Sequence, residues 1–422
     1  MRPQFPSQAQ LLFPTLDAVA DAGGSAPARE VADRVASCLH LSPEAREAQA
    51  TIAGAPVNLW DRHIRWVRQQ AVRKGLLEGS TFNLWKLSED GENVLRNARP
   101  GVVITVFETD AGIALWSEAE AAAAVIEDGS VQCIVTSPPF ALLRKKDYAN
   151  QKPAREHVAW LTRFFGIVKP KLTPNGSLFL NVADAWQPGQ PTLEPWTDRL
   201  LLSLMDECGY FLAEKLYWHS RSKMPAPAEW VTVKRIRVTP AVEEIFWLSN
   251  SPRPYADNRN VLRPYSESMK QRIAAGGERR VDRPSGYALV DGAFSRDNGG
   301  SIPHNLIEAA NTSSNDAYQS YVKASGLLSH PARFPEALPD FAIRLSTRPG
   351  DLVWDPFSGS FVTAAVAERL GRRWIGNEKS LNYTLGGRGR FPMARMLIDL
   401  SAADLSARRP GIFDNQPRRD LT

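Results

Sequence analysis

Two short segments of the chain hold residue types that could do chemistry. Thr136-Ser137-Pro138-Pro139-Phe140 directly follows the apolar run Cys133-Ile134-Val135. Consecutive prolines remove two backbone donors and stiffen the turn. What remains is a set of carbonyl oxygens, the Ser137 hydroxyl and the Phe140 ring. Such a set suits an exocyclic amino group on an aromatic base, because the oxygens accept its N–H bonds while the ring lies on the base's face. The second segment is Asp351-Leu352-Val353-Trp354-Asp355-Pro356-Phe357-Ser358-Gly359-Ser360-Phe361, followed by a helical stretch, Val362–Leu370, and by Trp374-Ile375-Gly376-Asn377-Glu378. A strand, a glycine-containing turn, a helix and a second strand ending in an acid form a nucleotide-binding βαβ unit. Gly359 lets the backbone approach a ligand. Glu378, ~20 residues beyond the turn, can accept hydrogen bonds from ribose hydroxyls. The unit carries no GxGxxG, so a single adenosine ligand suits it better than a dinucleotide.

The surrounding pattern supplies elements that could hold both segments. From Gly101 onward, apolar or β-branched runs occur at Val102–Phe107, Val131–Thr136, Ser177–Asn181, Ile245–Leu248 and Leu352–Trp354, with helical spacing at His157–Lys169 and Thr197–Cys208 between them. This alternation predicts an α/β domain with a mostly parallel sheet, and ligands sit at the carboxyl ends of such strands. Residues 250–330 break the pattern, being rich in Asn, Gly, Ser, Pro and Arg. Residues 1–100 read as a separate unit. Helices are predicted over Gln8–Ala22, Ala28–Leu39 and Leu59–Gly75, then two short strands at Leu76-Leu77-Glu78 and Asn83–Leu87. Three helices and a hairpin make a winged-helix pattern.

Composition narrows the classes. The chain has 422 residues, 43% apolar and 23% charged, enough for a substantial core in more than one domain. No run approaches the ~20 apolar residues of a membrane helix. The opening MRPQFPSQAQLLFPTL lacks the basic-then-apolar pattern of an export signal. Cys38, Cys133 and Cys208 are far apart, which excludes a disulfide framework or a CxxC metal or redox site. A reduced cytoplasmic setting is expected, with no membrane and no metal. The net charge of +5 lies in one stretch, because residues 219–300 hold 14 Lys/Arg against 9 Asp/Glu. A concentrated basic stretch suits contact with nucleic acid.

Together the two segments resemble the amino-group DNA methyltransferases. TSPPF is similar to their catalytic motif and DPFSGS to their S-adenosylmethionine motif, in the beta-group order with a long variable region between. Further similarity lies in Ser117–Ser137 (with Glu118 where Asp is common), GSLFLNVADAW (176–186), KLYWHSRSKMPAPAEWVTVKRIRVTPAVEEIFWLS (215–249) and HPARFPEALPDFAIRL (330–345). TSPPFALLRKKDYAN, PAEWV and DNGGSIPHNL resemble the PvuII-type cytosine-N4 modification methylases. The resemblance covers about residues 101–395. WDRHIRWVRQQAVRKGLLE followed by FNLWKLSEDG resembles the amino-terminal winged-helix domain of Mrr-type restriction proteins.

The resemblance implies a Rossmann-like, doubly wound α/β sheet with a target-recognition insertion and an N-terminal winged-helix domain. The expected division is an accessory DNA-binding domain at 1–100, a catalytic half at 101–218, target recognition at 219–325, a cofactor half at 326–395 and a tail at 396–422. The implied activity is transfer of a methyl group from S-adenosylmethionine to an exocyclic amino group in a short double-stranded DNA site. Ser137 typifies cytosine-N4 enzymes of the family, where Asp or Asn typifies adenine-N6 enzymes. A cytosine-C5 enzyme needs a Pro-Cys nucleophile, which this sequence lacks. Adenine-N6 methylation and a catalytically silent DNA-binding regulator remain alternatives.

The implied catalytic residues are Ser137, Pro138, Pro139 and Phe140, with Asn181, at a position where the resemblance allows an acid, and Asp184 nearby. Cofactor binding is expected from Thr136, Asp355, Phe357, Gly359, Ser360, Glu378 and His330. DNA contact is expected from Arg144, Lys145, Lys146, Trp218, Lys234, Arg235, Arg237, Arg253 and Arg259, and from the row Arg62, Arg65, Arg68 in the first unit. Duplex DNA is the expected partner. A separately acting cognate restriction endonuclease, a homodimer and association with a prokaryotic nucleoid are all compatible with that reading.

Overall fold

The computed structural model describes residues 5–6, 8–39, 41–52, 54–79, 83–140, 153–279, 281–282, 288–310 and 316–397. The chain divides into two compact units, one built mainly from residues 1–104 and the other mainly from residues 105–397. No described helix is long and apolar enough to cross a membrane.

The first unit packs helices Gln8–Asp21, Ala28–Cys38 and Leu59–Arg73 around one core. In the third helix Trp60, Ile64, Val67 and Ala71 are buried. Their spacing of three or four residues keeps them on one face. The Asn58 side chain caps that helix by accepting from the Asp61 amide at 3.0 Å. Trp60 anchors it to the second helix by donating its indole N–H to the Ala32 carbonyl at 2.8 Å. The predicted hairpin takes a different form. Leu84–Lys86 pairs antiparallel with Ser25–Pro27, and residues 76–78 contribute only a bridge between Leu77 and Leu87. The Gly23-Gly24 turn carries the chain into Ser25–Pro27, a strand too short to leave a periodic signal. A hairpin of Gln49–Ile52 with Ala55–Asn58 and a helix over Glu89–Arg96 were also not foreseen.

The second unit is organised by a ten-stranded sheet. Its strands are β1 (Val103–Glu108), β2 (Gly112–Ser117), β3 (Val131–Thr136), β4 (Leu172–Val182), β5 (Phe211–His219), β6 (Val242–Ser249), β7 (Leu306–Glu308), β8 (Leu352–Asp355), β9 (Arg373–Glu378) and β10 (Arg395–Met396). The spatial order is β7-β5-β6-β4-β3-β8-β9-β2-β1-β10. The central run β4-β3-β8-β9-β2 is parallel throughout. Antiparallel pairings flank it, β6 with β4 and β5 on one side and β10 with β1 on the other. β3 is buried at every position, as expected of a central strand covered on both faces. Helices α1 (Ala154–Val168), α2 (Trp196–Asp206), α3 (Ala337–Ser346) and α4 (Val362–Arg369) lie among these strands in the chain. The expected recognition region, 219–325, contains two strands of the sheet, β6 and β7. It is also less irregular than its composition implies, with a helix at Glu267–Ala274.

Candidate active site

Strands β3 and β8 are neighbours, with Val353 opposite Cys133 and Trp354 opposite Ile134. They run in the same direction, so both chemistry-bearing turns leave the sheet at the same edge and side by side. A direct hydrogen bond joins them. Thr136 Oγ1 donates to Asp355 Oδ1 at 2.7 Å, with both residues buried. Thr363 Oγ1, at the start of α4, donates to Asp355 Oδ2 at 2.8 Å, and the Phe357 amide donates to Oδ1 at 3.1 Å. Asp355 is thus a brace between the two turns, and its oxygens are occupied by protein donors. Burial pushes its carboxyl up to about 6, aided by the charge of Glu378, while the hydrogen bonds from Thr136, Thr363 and the Phe357 amide oppose the rise.

That shift has a consequence for stability. A carboxyl with a folded-state pKa above its unfolded value stabilises the fold most below the unfolded value, near 3.8, and the contribution is lost as pH rises through about 6. Asp355→Asn cannot ionise. Its melting temperature relative to the unaltered chain is therefore expected to climb between pH 4 and pH 7, by an amount equivalent to roughly 2–3 kcal/mol. A difference independent of pH over that range would contradict the buried-carboxyl assignment.

The glycine turn is held in several places. The Gly359 amide donates to Glu378 Oε2 at 3.0 Å, and the Ser358 hydroxyl donates to the Asp355 carbonyl at 2.8 Å. Gly359 has φ +50, and a Cβ there would lie 3.1 Å from the His330 ring. His330 is held by its own amide, which donates to the Tyr318 hydroxyl at 2.8 Å, and by an Nδ1 contact to the Ala332 carbonyl at 2.6 Å. Burial lowers its pKa to about 4, so the ring is neutral near pH 7. Phe357 rests edge-on against Phe164 and Trp160 of α1, at centroid distances of 5.2 and 6.1 Å.

On the other turn, Ser137, Pro139 and Phe140 are half-buried and Pro138 is buried. The Phe140 ring lies 6.2 Å from the fully buried ring of Trp196, whose indole N–H donates to the Ala183 carbonyl at 3.1 Å. Trp196 therefore links the end of β4 to the Ser137–Phe140 turn. Asn181, buried near that end, donates to the Glu244 carbonyl at 3.3 Å and shares a small apolar pocket with Thr136, Phe334 and Phe341. Asp184 is exposed, and partial burial and the charge of Asp198 raise its carboxyl above the usual range.

Most expected site residues thus gather at one edge of the sheet, but several differ from expectation. Ser360 is buried, and its hydroxyl and carbonyl face Arg390, at 3.5 and 2.7 Å. Both of its oxygens thus accept from a protein donor. Trp218 is 5% exposed and donates its indole N–H to the Ala309 carbonyl, so it is a core residue and not a DNA contact. Arg62 and Arg65 are exposed, whereas Arg68 turns toward Trp85, 5.9 Å from its ring. Each three-residue step on a helix falls about 60° short of a turn, so the third arginine rotates off the row. Arg259 is engaged by Asp257 in a two-pronged ion pair, and Lys234 pairs with Glu229 at 3.0 Å. Arg253 and Arg235 are exposed, and Arg237 donates to the Pro191 carbonyl at 2.7 Å. Arg144, Lys145 and Lys146 lie outside the described residues. Thr363 and Trp196 were missed by sequence reasoning, since neither lies in a recognisable spacing with the residue it serves.

A family model described as DNA methylase matches residues 131–385, more than half of the chain. The chain belongs to the DNA methylase family. A second model, the Mrr N-terminal domain, matches residues 9–97. Type II methyltransferase M.PvuII of Proteus hauseri is 43% identical over 266 residues, covering 63% of this chain and 79% of the relative. Type II methyltransferase M.SmaI of Serratia marcescens is 25% identical over 286 residues, covering 60% of this chain and 80% of the relative. Among solved structures, PvuII DNA methyltransferase (cytosine-N4-specific) superimposes with a TM-score of 0.56 and 33% identity, over 72% of this chain and 94% of that one.

Proposed function

We propose that this DNA methylase transfers a methyl group from S-adenosylmethionine to N4 of a cytosine in a short duplex site. The observation that carries the reading is the 2.7 Å hydrogen bond between Thr136 and Asp355, which fixes an amino-binding turn beside a glycine turn. S-adenosylmethionine, when bound, supplies a methyl group on a positively charged sulfur. The chain's own residues suit such a ligand. A side chain at 359 would enter the space beside His330, so the bare backbone leaves room for a ligand along Phe357–Gly359. Glu378, already directed at the Gly359 amide, is the acceptor for ribose hydroxyls. His330, neutral near pH 7, lines the side expected to receive the methionine carboxylate.

Cytosine N4 is paired and stacked in a duplex, so the base must be extruded to react. Phe140, backed by Trp196, offers a ring for the extruded base. The Ser137 hydroxyl and the Pro138 carbonyl accept the two N4–H bonds. Held this way, the N4 lone pair is turned from the ring toward the methyl group. With S-adenosylmethionine bound, N4 would displace the methyl group from sulfur, the electron pair of the carbon–sulfur bond would stay on sulfur, and the proton lost from nitrogen would pass to solvent. The site contributes alignment and oxygens that stabilise positive charge developing on nitrogen. The Asn181 amide is turned to the Glu244 carbonyl, so the Ser137 and Pro138 oxygens carry that load. Cytosine is favoured by Ser137 and by the likeness to the solved PvuII DNA methyltransferase, which is cytosine-N4-specific. A modification role beside a separate endonuclease belongs to the same reading.

The deciding experiment is mass analysis of nucleosides from DNA treated with the protein and S-adenosylmethionine. N4-methyldeoxycytidine is expected, and N6-methyldeoxyadenosine in its place would overturn the cytosine assignment. The first unit, with its own core and exposed Arg62 and Arg65, is proposed to add affinity for DNA phosphates. Removing residues 1–95 is expected to weaken duplex binding about tenfold in a fluorescence titration, with S-adenosylmethionine affinity unchanged. A parallel loss of cofactor binding would contradict this division of labour.

A further inference from the structure

The topology puts the segment between β5 and β6 at the same edge as the site. His219 and Val242 face each other at the ends of these strands. β6 runs antiparallel to β4, with Ile245 opposite Asn181, and β4 runs parallel to β3, with Leu180 opposite Thr136. Residues 220–241 therefore leave the sheet where the Ser137 turn leaves it.

This loop is well formed but turned outward. Trp230 is buried at its base, the Ile236 amide donates to the Trp230 carbonyl at 2.9 Å, and the Lys234 ammonium lies 4.2 Å from the Trp230 ring centre. Arg235 adopts φ +53, a left-handed conformation rare for a residue with a side chain. Every residue from 232 to 239 is exposed. Val233, Ile236 and Val238 are 74, 51 and 85% exposed, and they alternate with Lys234, Arg235 and Arg237. No acid occurs between Glu229 and Glu243. An ordered tip that presents apolar side chains among cations, with no anion in its own sequence, matches a polyanion with an apolar slot. Duplex DNA from which one base has been extruded is such a surface: phosphates line it, and the vacated stack is apolar.

We infer that the loop Thr232–Thr239 is a wedge that fills the gap left by the extruded cytosine, with Val233 and Ile236 entering the stack and Arg235 and Arg237 meeting flanking phosphates. This rests on the methylation reading above and adds the device that holds the duplex open. The test uses the full chain with the double substitution Val233→Ala and Ile236→Ala, both at exposed positions. Two duplexes are compared, one with the target cytosine paired and one with an abasic site opposite it, which removes most of the cost of extrusion. The double variant is expected to methylate the paired duplex at least tenfold more slowly than the unaltered chain, and the abasic duplex within about threefold of it. An unchanged rate on the paired duplex, or an equal loss on both, would overturn the wedge. Failure of the unaltered chain to methylate either duplex would bring down the underlying reading, and the wedge with it.

Discussion

Ser137→Ala is expected to bind S-adenosylmethionine and duplex DNA as the unaltered chain does, and to transfer methyl groups about 10²-fold more slowly. The substitution removes one oxygen from the pair that receives the N4–H bonds and leaves the Pro138 carbonyl in place. The lost acceptor matters most when positive charge appears on the amino nitrogen, so the effect belongs in kcat rather than in affinity. Ser137 is half-buried at the end of a strand whose pairing does not use its side chain, so stability should change little. Single-turnover rates with saturating DNA, beside titrations of both ligands, separate the possibilities. A full rate would remove Ser137 from the chemistry, and a loss confined to DNA affinity would make it a groove contact.

Gly359→Val is expected to show the opposite split. A side chain at φ +50 is strained, and its Cβ would begin 3.1 Å from the His330 ring before the two methyl groups are placed. The turn must shift, and with it the amide that meets Glu378. Affinity for S-adenosylmethionine is expected to fall at least 30-fold by calorimetry, roughly 2 kcal/mol, while DNA binding stays within a few-fold. The Asp355 brace is anchored from Thr136 and Thr363, so the sheet itself should survive, which far-ultraviolet circular dichroism would report. Unchanged cofactor affinity would show that the glycine turn does not border the ligand.

The sequence by itself determined the chemistry-bearing turns and the strands that end in them. The β3 strand, Val131–Thr136, was legible because a strand buried on both faces reads as a near-continuous apolar run, here interrupted by Gln132. The helix after the glycine turn was legible to within a residue for the same local reason, as was the concentration of positive charge between residues 219 and 300. Only the tertiary structure decided that Asp355 is a brace whose oxygens are taken by Thr136 and Thr363, that Trp218 is core, and that Arg68 leaves its row for Trp85. It also decided that the loop between β5 and β6 leaves the sheet at the same edge as the Ser137 turn. Periodicity and turn chemistry act over a few residues and are written locally. Thr136 and Asp355 are 219 residues apart, and a hydrogen bond across that distance depends on strand order and register, which no local spacing encodes.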